Sequence, residues 1–260
     1  MIRCAVPAGY ADGGNIMMSH GVVLARETLY KDTYLNHAFI PDGNWNQIDK
    51  IKLSQMVDLV DGMNKFEVAI FELENKPLNM LLSKSASPSP IESQCLEAEK
   101  LFFQALNGVV SIQGETRYLG VETTRDSSPT ITWDNKGIRT GLHVDCWYDR
   151  PISERANSEN RLCLNIGAGD RYFLFSLIPI VEMREHVAKK MKLSESELEN
   201  PTNICAYFFL HYPDTPILAF KNKPGQGYIA STEYLCHDGF VPGRHKNASI
   251  SIMANLKLLG

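Results

Sequence analysis

The chain has 260 residues, of which 44% are hydrophobic and 22% charged, a balance that excludes a largely disordered polypeptide and allows one large domain with a substantial core. A net charge of −4 and a pI near 6.0 exclude a strongly basic nucleic-acid binder and a polybasic membrane patch, so small molecules are the expected partners. The opening residues MIRCAVPAGYADGG lack a charged region followed by an apolar run, and no apolar stretch reaches the roughly 18 residues of a membrane span.

Six cysteines, at 4, 95, 146, 163, 205 and 236, form no Cys-x-x-Cys pair and show no zinc-like spacing. They read as buried reduced thiols, and the expected setting is a reducing cytoplasm, with the protein a monomer or homodimer. No internal repeat stands out.

Taken in chain order, FEVAIFEL at 66–73 is expected to be an outer strand. The Ser/Pro stretch SKSASPSP at 83–90 reads as a helix start, with Ser89 as cap, Pro90 at the first helical position and Glu92 completing a capping box. The helix would then run through SQCLEAEKLFFQAL and stop at Asn107-Gly108. TRYLGVETT at 116–124 is a second candidate outer strand, and RTGLHVDCW at 139–147 a third strand. RLCLNIG and RYFLFSL, joined by Ala-Gly-Asp, read as a tight hairpin. A helix is expected at 180–192, ending in basic residues that suit its dipole, and a helical turn at 194–199 with Ser194 and Glu197 as a capping box. NICAYFFLHY, PILAF, GYIAST and SISIMANLKL complete the run as strands. This order implies an α+β chain, mainly β, built around a sandwich or barrel. A doubly wound sheet is excluded by the irregular alternation and the lack of a glycine fingerprint after a strand.

GLHVDCWY carries the chemistry. Residues two apart on an extended chain point to one face, so His143 and Asp145 would project side by side and could share an ion. A facial iron site needs a second histidine from another part of the chain. His20, His37 and His186 lie in the N-terminal region or on a polar helix, which leaves His211, His237 and His245. The stretch KNKPGQGYIASTEYLCHDGFVPGRHKNASISIMANL would deliver His237 opposite the first pair, and Arg244 or Lys246 back towards the same mouth. A cation there could hold the far carboxylate of a dicarboxylic cosubstrate. His211, closing an apolar segment, is the rival distal ligand.

Together, His-x-Asp, a later histidine after a glycine-containing turn and a trailing Arg/Lys strand resemble the iron(II)- and 2-oxoglutarate-dependent oxygenases over residues 139–257. The resemblance implies a double-stranded β-helix (jelly-roll, cupin-like) core at 116–260, with a flank of helices and strands at 1–115 and inserted helices, in a single domain. It further implies His143, Asp145 and His237 as ligands of Fe(II), with O2 and 2-oxoglutarate as co-reactants, the latter decarboxylated to succinate and carbon dioxide. The HDG triplet and the NRLCLNIG strand are similar to a bacterial branch that hydroxylates or halogenates free amino acids; Asp145 in place of a small residue favours hydroxylation or a related desaturation or cyclisation. The cosubstrate basic residue usually follows the distal histidine by about nine to fourteen positions in this family; Arg244 follows His237 by seven and Lys246 by nine.

Ser249 and Asn165 are further candidate cosubstrate contacts. Glu122, Arg125, Arg139, Trp147 and Asp149 are candidate substrate contacts, with Arg161 a further carboxylate binder. Cys146 and Cys236 are expected to face the packing layer, because neighbours of an inward ligand point outward. A zinc-type cupin-like hydrolase or isomerase with the same three ligands, and a non-catalytic β-barrel binding protein, are the competing readings.

Overall fold

The computed structural model describes residues 1–62, 65–85, 95–124, 127–243 and 247–259. The described residues form fourteen strands. These are β1 (Arg3–Ala5), β2 (Ile16–Ser19), β3 (Val22–Leu24), β4 (Phe39–Pro41), β5 (Trp45–Gln47), β6 (Asp58–Leu59), β7 (Val68–Glu72), β8 (Val110–Thr124), β9 (Asn160–Asn165), β10 (Arg171–Pro179), β11 (Ile217–Asn222), β12 (Gln226–Ala230), β13 (Leu235–Phe240) and β14 (Asn247–Leu258). A seven-stranded sheet has the order β6-β1-β7-β12-β9-β14-β8, and a five-stranded sheet the order β13-β10-β11-β2-β5. The chain is therefore mainly β with helices added. Strands from the first 72 residues extend both sheets.

The layers follow from strand alternation. Cys4, Val68, Ile70, Cys163, Tyr228 and Ala230 of the first sheet meet Ile16, Phe173, Phe175, Leu218, Phe220 and Leu235 of the second in one buried cluster. The opposite face of the seven-stranded sheet, through Leu162, Leu164, Ile250 and Ile252, packs on the helices α2 (Lys76–Ser85) and α3 (Cys95–Leu106). Leu174, Ile217 and Ala219 on the other side of the five-stranded sheet pack on α4 (Ile180–Lys190) and α6 (Pro201–His211). Strands β9, β10, β11 and β12 thus alternate between two apolar layers, which is why their sequences are rich in hydrophobic residues on both faces. Phe220 is fully buried between the sheets, edge-on to Phe175 with centroids 5.1 Å apart. Phe220→Ala is expected to cost about 3–5 kcal/mol in urea unfolding, since both sheets contribute to the cavity it would leave.

Several expectations are corrected. NICAYFFLHY is helical, not extended: Asn200 accepts a hydrogen bond from the Asn203 amide, Pro201 opens the helix, and Ile204, Cys205, Phe208 and Phe209 form its buried face. RLCLNIG and RYFLFSL do not pair; β9 lies in the first sheet and β10 in the second, so Ala168–Asp170 is a crossing. Gly167 makes that crossing possible, since a Cβ there would come within 2.6 Å of the Ala248 amide nitrogen. FEVAIFEL sits inside its sheet between β1 and β12, whereas β8 is an edge strand as expected. The Ser89/Pro90/Glu92 cap lies outside the described residues; α3 follows it and ends at Leu106, just before Gly108, whose φ of 81° suits a helix stop. The Ser194–Glu197 capping box forms as expected. Among the described residues no helix is long and apolar enough to cross a membrane.

From β8 onward the chain passes repeatedly between the sheets. β8 lies in the first, the segment bearing His143 bridges to β13 of the second, and β9 returns to the first. β10 and β11 follow in the second, β12 in the first, β13 in the second and β14 in the first. This brings residues 143–145 beside residue 237.

Candidate metal centre

RTGLHVDCW is irregular, with isolated bridges at Arg139 and His143 in place of the expected strand. The His143 amide donates to the His237 carbonyl at 3.0 Å and the His237 amide returns a bond to the His143 carbonyl at 2.7 Å. The Asp145 amide donates to the Thr232 carbonyl at 3.0 Å, and the buried Arg155 guanidinium caps the Asp145 carbonyl at 2.8 Å. The local backbone remains extended enough to keep His143 and Asp145 on one side.

The two imidazoles are held alike. Nδ1 of His143 lies 2.9 Å from the Gly141 carbonyl and Nδ1 of His237 lies 3.0 Å from the Leu235 carbonyl, so each ring donates there and turns Nε2 inward. Asp145 faces both, with its oxygens 3.5 Å from Nε2 of His143 and 3.7 Å from Nε2 of His237. One ligand atom from each of the three residues lies within 4.8 Å of the others. Asp145 Oδ2 and His237 Nε2 are buried without a hydrogen-bond partner. Buried polar atoms are rarely left so, and two imidazole nitrogens with a carboxylate oxygen match the donor set of a facial divalent-metal site. The residues present therefore fit a metal.

Burial alone would lower the pKa of His143, but Asp145 and Asp238 outweigh it and push the imidazole up to about 10. Burial dominates at His237 and takes it down to about 4, against the opposing pull of Asp145. For Asp145 burial raises the pKa, and His237, His143 and Arg161 more than reverse that, leaving it well below the usual carboxylate range. Near neutral pH the metal-free triad thus carries one extra proton, on His143. Metal must displace it, so binding near pH 7.5 should release about one proton and affinity should rise with pH up to about 10. Calorimetry in buffers of different ionisation enthalpy measures this number; zero would contradict the assignment. The same raised pKa stabilises the metal-free fold fully below about 6.5 and ceases to do so as pH rises through about 10.

Asp145 and His237 of the triad line a pocket of about 380 Å³, together with Glu122, Thr132, Trp133, Trp147, Arg161, Arg171, Tyr228 and Asp238, among others. Arg161 reaches Asp145 Oδ2 at 3.5 Å and Glu122 at 3.6 Å, bridging the triad to the pocket mouth. Arg171 is only 5% exposed, and its buried Nη1 finds no hydrogen-bond partner among the described residues. Gly239 lies beside it: a Cβ there would be 3.5 Å from Arg171 Nη2, an ordinary contact.

Of the other sequence candidates, Glu122 and Trp147 line this pocket. Arg125, Arg244, His245 and Lys246 lie outside the described residues. Arg139 is away from the pocket lining, donating to the Thr130 carbonyl at 2.5 Å and stacking on Trp133 at 4.0 Å. Asp149 is exposed and is not among the pocket residues. Asn165 is a satisfied core amide, donating to the Gly169 and Asn222 carbonyls and accepting from the Gly167 amide. Ser249 is buried where β14 pairs with Asn165 and Glu122. His211 ends α6 with its side chain exposed and is not among the pocket residues. Cys236 packs in the core as expected, whereas Cys146 is corrected: it is exposed, with the Arg155 guanidinium 3.2 Å from its sulfur. Four residues at or beside the site are not singled out by the sequence: Arg171, Tyr228 and Asp238, which line the pocket, and Glu233, which accepts bonds from the Trp147 and Tyr148 amides.

No protein-family model and no curated protein matches the chain. Among solved structures it is similar to the Kdo hydroxylase KdoO, described as a non-heme Fe(II) alphaketoglutarate dependent dioxygenase, in its apo form (TM-score 0.42) and in complex with cobalt(II) (TM-score 0.41). Each is 12% identical, over 72% of this chain and 79% of that one.

Proposed function

We propose that the protein is a single-domain non-haem iron(II)- and 2-oxoglutarate-dependent oxygenase that hydroxylates, desaturates or cyclises at an unactivated C–H bond of a small polar substrate. A free amino acid or a natural-product intermediate is the substrate class that the sequence resemblance suggests. The observation that carries this reading is a His143/Asp145/His237 triad, two of whose members, Asp145 and His237, line a pocket whose wall holds Arg171 with its buried Nη1 lacking a hydrogen-bond partner among the described residues. We further infer that β8, the His143 segment and β9 to β14 form a double-stranded β-helix, on the strength of their passage between the two sheets.

His143 and His237 would give Nε2, and Asp145 an oxygen, to the metal, leaving the pocket side open. Bound there, iron(II) would supply the redox chemistry that couples decarboxylation of 2-oxoglutarate by O2 to oxidation of the substrate. Arg161 neutralises Asp145 and fixes its rotamer. Arg171 takes the role of the far-carboxylate clamp for which Arg244 and Lys246 were candidates: a buried guanidinium without an anion is costly, and a dicarboxylate reaching along the pocket supplies one. Glu122, Trp133 and Trp147, at the mouth, are left to contact the primary substrate.

Anaerobic addition of iron(II) and 2-oxoglutarate tests the reading through a weak visible charge-transfer band, and admission of oxygen through succinate release. Absence of both, across a broad panel of amino acids, would sink it. A product gaining the mass of one oxygen would identify the substrate.

A further inference from the structure

Asp238 follows a metal-ligand candidate in sequence yet belongs to no part of the triad. Its carboxylate is 1% exposed and does two things at once. Oδ1 accepts from the Ile131 amide at 3.1 Å, the Thr132 amide at 3.2 Å, the Thr132 hydroxyl at 3.0 Å and the Gly239 amide at 2.6 Å. Oδ2 is buried without a hydrogen-bond partner and stands 3.6 Å from Nδ1 of His143, behind the ring whose Nε2 faces Asp145.

The segment gathered by Oδ1 is a lip of the pocket. Ile131, Thr132 and Trp133 line it, and Trp133 is 49% exposed at its rim. The lip continues through a turn at 134–137, where the Asp134 side chain and backbone hold the Lys136, Gly137 and Ile138 amides, and returns with Thr140 paired to Thr132. Three residues later comes His143. Gly239 is an independent sign of this close approach: a Cβ there would stand 2.6 Å from Cδ1 of Ile131 and would displace that side chain.

We propose that Asp238 is a positioning residue that couples the metal centre to the pocket lip. The inference rests on the metal reading above. Loading Nε2 of His143 fixes that ring and puts the metal's positive charge behind it; Oδ2, 3.6 Å from Nδ1, is drawn to that charge, and the carboxylate transmits the constraint through Oδ1 to the Ile131 and Thr132 amides. By reciprocity, anything that orders the lip favours the metal-competent His143. The lip that borders the substrate would then close down only over a loaded centre.

Hydrogen exchange at the Ile131 and Thr132 amides, with and without cobalt(II), tests the coupling on the intact protein without any turnover. Wild-type exchange at both amides should slow about tenfold or more on cobalt binding, a factor of the size typical of coupled sites. Asp238→Asn keeps an acceptor for the lip but removes the charge behind His143. It should bind cobalt about 10–100-fold more weakly, as outer-partner changes do, and at saturating cobalt its lip should show no further protection. A merely structural Asp238 would loosen the lip equally with and without metal. Cobalt binding that leaves wild-type lip exchange unchanged overturns the coupling while sparing the metal reading. Persistence of metal-dependent protection in Asp238→Asn overturns the role of Asp238, and failure of cobalt to bind the wild type overturns both.

Discussion

Asp145→Asn is expected to weaken cobalt(II) or iron(II) binding by more than about 100-fold, beyond the range of changes that touch only the partners of ligands, and to abolish succinate formation. The amide preserves volume and the backbone bonds to Thr232 and Arg155, so the protein should stay folded. What it removes is the one negative charge facing both imidazoles, 3.5 and 3.7 Å from their Nε2 atoms. His237→Ala should have a comparable effect on binding. His211→Ala should have none, because that residue closes α6 on the outer face of the five-stranded sheet. Visible absorption of the cobalt complex reads all three, and loss of binding in His211→Ala with retention in His237→Ala would reverse the assignment.

Arg171→Met separates stability from function. In the metal-free protein the buried guanidinium bears an unpartnered nitrogen, so replacing it by an apolar side chain of similar length should raise the midpoint of thermal unfolding. With 2-oxoglutarate the sign inverts. Losing one member of a buried charge pair costs about 2–5 kcal/mol, which corresponds to a rise in the KM for 2-oxoglutarate of about 30-fold or more. Metal affinity should change little, since Arg171 makes no hydrogen bond or ion pair with the three ligands among the described residues. If Arg244→Ala or Lys246→Ala produced that rise and Arg171→Met did not, the clamp would belong to the chain just before β14.

The sequence carried the triad further than it carried the fold around it. His143 and Asp145 were legible because an i, i+2 pair shares a face on any extended backbone, and that held even though the segment is not a regular strand. His237 was legible from the turn before it. The helix α6 was not, because Ala-Tyr-Phe-Phe-Leu reads as a continuous apolar run; only the Asn200 cap and Pro201 distinguished it, and packing on the five-stranded sheet turned its 204/205/208/209 face inward. The hairpin reading of residues 161–177 failed for a related reason. A Gly-containing three-residue link serves a tight turn or a crossing equally well, and which one forms depends on whether the flanking strands find partners in the same sheet.

By itself, then, the sequence determined the donor types, their spacing and the mainly β character of the chain, all of which depend on local geometry and periodicity. Tertiary structure alone decided which buried polar atoms lack hydrogen bonds. Arg171 and Asp238 became informative only when β10 and β13 paired and left one guanidinium nitrogen and one carboxylate oxygen enclosed without a hydrogen-bond partner among the described residues, a property of three-dimensional desolvation that no residue pattern records.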